Sequence, residues 1–156
     1  MYGTSTLRIS DARPSLQTVG PLYQKTVQQG KRQKLQAAIT GRSASLPAIG
    51  ELTRGKAVYN QRHQGSKLVR IADIQASENR SGDFDRNFNP LETHTKSRWL
   101  SIAVARLNSQ AMPAVELIKV GEVYAVRDGH HRISVARALG EDYIDAHVTA
   151  WELADR

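Results

Sequence analysis

The sequence contains no cysteine among its 156 residues. Disulfide bonds, thiolate zinc ligands and cysteine nucleophiles are therefore excluded. It also lacks any apolar run close to the roughly 20 residues that a membrane-spanning helix needs, and its first 14 residues contain no apolar segment typical of a secretory signal. These absences predict a cytoplasmic protein that has no membrane partner. The 40% hydrophobic content is enough for one sizeable core.

Acidic residues are scarce in the first 70 residues. Residues 1–70 hold two acidic and 12 basic side chains, whereas residues 71–156 hold 13 acidic and 10 basic ones. A basic half beside a mildly acidic half predicts a polyanion-facing segment attached to a separate folded unit. The alternative is a solvated, charged helix that touches nothing.

The densest basic cluster is formed by Lys31, Arg32 and Lys34, with Lys25 one to two helical turns earlier. Such a face can follow nucleic-acid phosphates in a salt-dependent way. DNA is therefore a predicted partner of this segment, and an acidic partner protein is the alternative. Aromatic residues are not interleaved with the cluster, so the pattern does not predict stacking on a single strand.

The N-terminal part of the chain is predicted to be helical. Apolar residues recur at three- and four-residue steps from Ser15 to Ile39. Three residues interrupt this pattern and favour two short helices over one, namely Gly20, Pro21 and Gly30. Gly41 lies where a helix C-terminal cap favours a residue without Cβ. Residues 42–66 have few apolar side chains and predict a linker with one short helix around Ile49–Tyr59.

From Lys67 onward, strand-like and helix-like patterns alternate. The first predicted elements are a strand at Leu68–Ile71 with Ile74 after it, a long loop at 77–96 and a helix that begins at Ser97 and is ended by Pro113. They are followed by a hairpin of Val115–Val120 and Val123–Arg127, a helix at Ile133–Leu139 and a strand at Tyr143–Val148. This order predicts an α+β domain at residues 67–152, a mixed sheet with helices. The basic helical segment of residues 1–66 precedes it. Trp99 lies on an apolar helix face and is predicted to be in the core.

The stretch from Val126 to Ser134, VRDGHHRIS, is the most informative one. A strand ends there, a glycine turns the chain and a helix begins. Free N–H groups and partial positive charge at a helix N-terminus suit a phosphate. Arginine and histidine add donors, and glycine permits close approach of the backbone. The stretch predicts a phosphate-binding site formed by Asp128, Gly129, His130, His131, Arg132 and Ser134.

Two alternatives remain for this stretch. In one, Asp128 only caps the turn by accepting backbone N–H bonds, and the histidines are solvated. In the other, the histidines bind zinc, but adjacent histidines rarely converge on one metal and the sequence shows no third ligand. We therefore predict no protein metal site.

Two segments carry a family resemblance, VELIKVGEVYAVRDGHHRISVARALGEDYIDAHV at residues 115–148 and VRIADIQASENR at residues 69–80. They resemble the ParB/sulfiredoxin superfamily. Its members share a strand–turn–helix with a Gly-x-(His/Arg)-Arg signature, a small-residue helix and a closing strand. Within the superfamily, a group of bacterial ParB-like proteins is resembled by the combination of SENRSGDFDRNFNP, the helix with Arg98-Trp99 and RDGHHRISVARALG. The resemblance covers about residues 67–150.

This resemblance implies a nucleotide site. Gly129, His131 and Arg132 match the phosphate-contacting Gly-x-His-Arg of sulfiredoxins, and Gly129 and Arg132 match the ParB box that binds the phosphates of CTP. His130 stands where sulfiredoxins carry their catalytic cysteine, so reduction of sulfinic acid is excluded. What the resemblance still implies is a site for a nucleotide, CTP or ATP, or for another phosphorylated ligand, with Mg²⁺ assisting.

The loop Ser77-Glu78-Asn79-Arg80 borders the ligand if the resemblance holds. Some members of the superfamily phosphorylate free serine and use a loop glutamate as general base, and Glu78 is similar in position. Glu78 would then accept the substrate hydroxyl proton while Arg80 and Arg132 offset phosphate charge. The alternative is a surface ion pair between Glu78 and Arg80, worth at most about 1 kcal/mol.

Asp83 and Asp85 either bind magnesium or cap the backbone of their own loop, and capping is favoured. Three functions remain for the chain. The first is a nucleotide-dependent switch, the second a small-molecule phosphotransferase that uses Glu78, and the third a DNA-binding or nuclease-like ParB-type protein that uses residues 1–70. The sequence leaves open whether the protein is an enzyme.

Overall fold

The computed structural model describes residues 14–79 and 82–155. The helices are α1 (Leu16–Thr40), α2 (Ile49–Thr53), α3 (Lys96–Leu107) and α4 (His130–Ala138). The strands are β1 (Val58–Arg70), β2 (Ile74–Ser77), β3 (Val115–Val120), β4 (Val123–Asp128) and β5 (Tyr143–Leu153). A single 3-10 turn at Ile71–Asp73 separates β1 from β2.

The five strands form one mixed sheet in the order β1-β5-β3-β4-β2. β1 is antiparallel to β5, β5 parallel to β3, β3 antiparallel to β4, and β4 parallel to β2. Since helices and a mixed sheet share the chain without regular alternation, the predicted α+β class is confirmed. The parallel β4–β2 pair places the end of β2 beside the end of β4, where α4 begins.

Helix α1 is continuous, so the prediction of two shorter helices is wrong. Its Val19, Tyr23 and Val27 are buried in a cluster with Trp99 of α3, and this packing outweighs the local cost of Pro21 within the helix. Gly30 is a packing residue, because a Cβ there would lie 2.6 Å from the carbonyl oxygen of Pro90. The predicted C-cap at Gly41 is confirmed by its φ of 69°.

Residues 58–66 are strand and not linker. They form the first part of β1 and pair with β5, which runs five residues beyond the predicted end at Val148. The boundary predicted between residues 66 and 67 falls inside β1. Most of β1 is exposed, so it carries no alternation of buried and solvated residues that a sequence reading can detect. The short helix α2 lies within the range predicted for one.

The core has two parts. One lies between the sheet and α4 and includes Phe84 and Phe88, which anchor the long loop at 77–96. The other joins α1, α3 and α4 around Trp99, whose predicted core position is confirmed. The β3–β4 hairpin and the inward alternation of β5 are also confirmed. Within residues 14–79 and 82–155, no helix combines the length and hydropathy needed to cross a membrane.

Candidate phosphate-binding site

The turn between β4 and α4 requires a glycine. Gly129 has a φ of 110°, in the left-handed region that favours glycine. A Cβ on it would lie 2.5 Å from Cγ1 of Val115, closer than real contacts allow. The N–H of Ile133 donates to the carbonyl of Gly129 at 3.0 Å, which starts the helix. The N–H groups of the first turn, residues 130–132, therefore precede the helical hydrogen-bond ladder, at the end of the helix that carries partial positive charge.

Both histidines of the turn are buried and hydrogen-bonded. His130 shares a hydrogen bond of 2.7 Å with the hydroxyl of Ser77 at the end of β2, and His131 shares one of 2.9 Å with the hydroxyl of Thr95 before α3. The ring of Phe84 stacks on His130 and meets His131 edge-on. The solvated-histidine alternative is therefore wrong. These rings fix the first turn of α4 against β2 and α3.

The guanidinium of Arg132 donates hydrogen bonds to two backbone carbonyls and to a carboxylate. Its Nη1 donates to the carbonyls of Pro113 and of Ala114, the latter at 3.1 Å, and its Nη2 donates to Oδ2 of Asp128 at 3.0 Å. The side chain of Arg132 is 14% exposed, and that of Asp128 is 67% exposed. The guanidinium thus fastens the segment before β3 to the start of α4. Asp128 therefore forms an ion pair with Arg132. The alternative from the sequence, in which Asp128 caps the turn, requires it to accept backbone N–H bonds instead.

Glu78 is connected to the turn by hydrogen bonds from Arg127. Nε of Arg127 donates to Oε2 of Glu78 at 2.9 Å, and its Nη2 donates to Oε1 at 3.3 Å. This hydrogen bonding raises the pKa of Arg127 above its ordinary value, so the guanidinium is a fixed positive charge. The predicted partner of Glu78 was Arg80, which lies outside the described residues.

A pocket of about 210 Å³ opens in front of the first turn of α4. We call it the phosphate pocket, after the ligand that the sequence predicts for this turn. Its lining brings together five residues that the sequence predicts, namely Asp128, Gly129, His130, His131 and Arg132. Arg98 and Arg127 also line it, and the sequence reading assigned neither to the site. Arg127 precedes the turn directly, whereas Arg98 comes from the first turn of α3, and no local signal connects it to the site.

The electrostatic balance of the pocket is positive. Arg98 is exposed and makes no ion pair within the part of the chain that the structure describes. Arg127 and Arg132 are paired with Glu78 and Asp128 respectively. The charge of Arg98 therefore remains, together with the partial positive charge of the N-terminus of α4. This arrangement suits an anion.

Ser134 is separated from the pocket, although the sequence places it in the site. Its hydroxyl is buried and accepts the indole N–H of Trp99 at 2.9 Å. Ser134 thus holds α4 against α3, one helical turn beyond the pocket. Because each residue adds about 1.5 Å along the helix axis, Ser134 lies about 6 Å beyond His130, and it lines a different concavity.

Asp85 accepts hydrogen bonds from the backbone of its own long loop, which is the favoured prediction for this residue. The buried carboxylate accepts the backbone N–H groups of Asn87 and Asn89 at 2.8 and 2.9 Å and the side-chain amide of Asn89 at 3.0 Å. Asp85 is therefore engaged by its own loop. In the described ranges, no three His, Asp or Glu side chains gather into a group that could hold a metal ion. Asp128 is the exposed carboxylate at the pocket.

Comparisons with known proteins give one distant similarity. No family model and no curated protein matches the chain. Among solved structures, the crystal structure of sulfiredoxin from Arabidopsis thaliana is similar with a TM-score of 0.41 and 14% identity, over 53% of this chain and 82% of that one. This similarity covers about half of the chain and carries no activity over to it.

Proposed function

We propose that the pocket before α4 binds the phosphate groups of a small phosphorylated ligand, with a nucleotide such as CTP or ATP as the first candidate. The observation that carries this proposal is the convergence of Arg98, Arg127 and Arg132 on a helix N-terminus whose turn accepts no Cβ at Gly129. The choice of a nucleotide rests on the resemblance of the turn to the ParB/sulfiredoxin signature.

The size of the pocket supports binding of phosphate groups in particular. Typical ligand pockets have volumes of about 300–1,000 Å³, and this one has about 210 Å³. It can enclose a phosphate chain while the sugar and base stay outside. A lining rich in arginine also favours phosphate, because guanidinium groups donate two parallel hydrogen bonds to its oxygens.

Magnesium fits this site as a companion of the phosphates. Mg²⁺ is usually held by one or two carboxylates, by phosphate oxygens and by water. Asp128 is the exposed carboxylate at the pocket, and it would supply that ligand. The cation would offset phosphate charge that Arg98 alone does not balance.

Isothermal titration calorimetry with pyrophosphate, CTP and ATP, each with and without Mg²⁺, tests the proposal. The variant is Arg98→Gln, because Arg98 is exposed and its loss breaks no ion pair of the described chain. The matched control is Arg42→Gln, which removes the same charge from an exposed position outside the pocket. We expect Arg98→Gln to weaken binding by about tenfold, as loss of a charge-assisted hydrogen bond does, and Arg42→Gln to bind as the wild type does.

Either of two results would overturn the proposal. One is that none of the three ligands binds the wild-type protein at millimolar concentration. The other is that the two variants lose affinity equally, since binding would then follow net charge and not the pocket.

A further inference from the structure

A second concavity lies between α1, α4 and the loop at Asn87–Asn89. Its volume of about 530 Å³ is more than twice that of the phosphate pocket. We call it the α1–α4 groove. Lys25 and Arg32 of α1 and Arg137 of α4 line it, together with side-chain amides that include Gln29 and Gln33. Among its described lining residues none is Asp or Glu, and α1 itself contains no acidic residue.

The cations of the groove are regularly placed along α1. Lys25 and Arg32 are seven residues apart, which is about two turns, so they share one face at an axial distance of about 10 Å. Gln29 and Gln33 lie on the same face and line the groove beside them. A ligand that matches this face carries negative charges repeated along its length, with hydrogen-bonding groups between them.

The walls of the groove are held in place by packing. Gly30 lets α1 approach the loop so closely that a Cβ would lie 2.6 Å from the carbonyl oxygen of Pro90. Arg137 donates to the side-chain oxygen of Asn87 at 3.1 Å, which ties α4 to the same loop. Ser134 also lines the groove, and its hydroxyl accepts a hydrogen bond from the indole N–H of Trp99. The concave shape is therefore built into the fold.

We propose that the α1–α4 groove binds a single strand of nucleic acid. Its phosphates would contact Lys25, Arg32 and Arg137, and its base edges would meet the amides. Glutamine and asparagine amides offer both donors and acceptors, as base edges do. A concave cationic channel follows one strand, whereas entry into a duplex groove needs a protruding helix or ribbon.

The chemistry of the lining sets the expected salt dependence. No aromatic side chain belongs to the described lining, so base stacking adds little and the phosphate contacts dominate. For single strands, the slope of log affinity against log salt is about −0.7 for each neutralised phosphate. Three cations therefore predict a slope of about −2.

Fluorescence anisotropy with labelled oligonucleotides of about 12 nucleotides, single-stranded DNA and RNA, tests the groove at roughly 50 to 200 mM salt. The groove variant is Lys25→Gln with Arg32→Gln. The matched control is Lys31→Gln with Lys34→Gln, which removes the same charge from exposed positions of the same helix that lie outside the groove. We expect the groove variant to lose affinity about tenfold or more and its slope to fall to about −0.7, while the control keeps a slope of about −2.

Four outcomes would overturn the inference. If the single strands do not bind the wild type at low salt, or if the two double variants lose affinity equally, the groove is not the binding site. If the matching duplex binds more tightly than either strand, the ligand is not a single strand. If polyglutamate of similar length competes as well as the oligonucleotides, the partner is an acidic protein. Thermal unfolding of each variant confirms that it is folded.

Discussion

Glu78 holds Arg127 through both of its carboxylate oxygens, with donor–acceptor distances of 2.9 and 3.3 Å. The pair is partly exposed, and Arg127 lines the phosphate pocket. Since both oxygens of Glu78 accept hydrogen bonds from the guanidinium, the carboxylate orients Arg127. Accepting a proton from a substrate would remove the negative charge that pairs with Arg127. The geometry therefore favours Glu78 as a positioning residue over the general base of a phosphotransferase.

Replacing Glu78 by glutamine separates these two roles. Without the negative charge beside Arg127, we expect pyrophosphate to bind as tightly as to the wild type or a few times more tightly. The stability loss should stay below about 1 kcal/mol, because the pair is partly solvated. Calorimetry measures the affinity for pyrophosphate, and urea denaturation measures the unfolding free energy. Glu141→Gln, which breaks the ion pair with Arg106 away from the pocket, is the control. A phosphoryl transfer to serine that disappears in Glu78→Gln while nucleotide affinity is kept would instead establish the general base.

Gly129→Ala should be strongly destabilising. The left-handed backbone costs an alanine about 1 kcal/mol or more, and the clash of its Cβ with Val115 adds an overpacking cost of about 1–3 kcal/mol. We expect a total loss of about 2–4 kcal/mol by urea denaturation. Gly140→Ala is the matched control, since Gly140 also has a positive φ but a Cβ there meets nothing within 4 Å. Equal losses in the two variants would show that the contact with Val115 is unimportant.

The sequence predicts the elements whose pattern repeats and misses those held by distant contacts. Two β-rich runs around Gly121-Glu122 mark the β3–β4 hairpin, and its strands are in the predicted places. β5 alternates over its predicted part and continues five residues beyond it. The first part of β1, residues 58–66, is polar and mostly exposed and is held by pairing with β5, so its own residues do not predict a strand. Pro21 and Gly30 look like helix breakers in isolation, yet contacts of α1 with α3 and with the loop keep the helix whole.

In the candidate site, too, the sequence predicts the contiguous residues and misses those brought in by distant contacts. The turn at Asp128–Arg132 is contiguous in sequence, and its glycine and histidines could be read from the motif. Arg98 is 30 residues or more from the turn and joins it through the packing of α3 on α4. Ser134 lies within the motif but faces Trp99, because one further helical turn carries it away from the pocket. A linear motif does not show which neighbouring element each of its residues contacts.

Arg132 should prove to be a structural residue as much as a binding one. Arg132→Gln leaves two carbonyl groups, of Pro113 and Ala114, without their donor, and Asp128 without its cation. We expect a loss of about 2 kcal/mol or more in unfolding free energy. Arg98→Gln, on the same pocket, should change stability by less than about 0.5 kcal/mol, as surface substitutions usually do. Comparable stability of the two variants by urea denaturation would contradict this role for Arg132.

Ser134→Ala tests whether this serine serves the phosphate pocket or the helix interface. The variant leaves the buried indole N–H of Trp99 without an acceptor, which costs about 1–3 kcal/mol. Phosphate affinity should be unchanged. The double-mutant cycle with Trp99→Phe isolates the hydrogen bond, because the second substitution removes the unsatisfied donor. A loss of pyrophosphate affinity in Ser134→Ala at unchanged stability would return Ser134 to the binding site.

Tyr23→Phe should stabilise the protein. The phenol is buried between α1 and α3, and its hydroxyl has no hydrogen-bond partner in the described part of the chain. Removing it relieves an unsatisfied polar group, and we expect a gain of about 1 kcal/mol at neutral pH. Urea denaturation near pH 7.5 measures this difference. Tyr143→Phe, at an exposed tyrosine, is the control and should change little. A loss of stability in Tyr23→Phe at neutral pH would show that the hydroxyl has a stabilising partner.

The same tyrosine should make stability depend on alkaline pH. Burial raises the pKa of Tyr23 above its ordinary value of 10.0, because the charged phenolate is poorly solvated there. Well below pH 10 the phenol is protonated in both the folded and the unfolded chain, so it contributes no pH dependence there. Between pH 10 and the folded-state pKa, the unfolded chain loses the proton first, and the unfolding free energy falls as pH rises. The advantage of Tyr23→Phe over the wild type should therefore widen from pH 9.5 to about pH 11. A constant difference across this range would contradict burial as the cause, since an unshifted phenol ionises equally in both states.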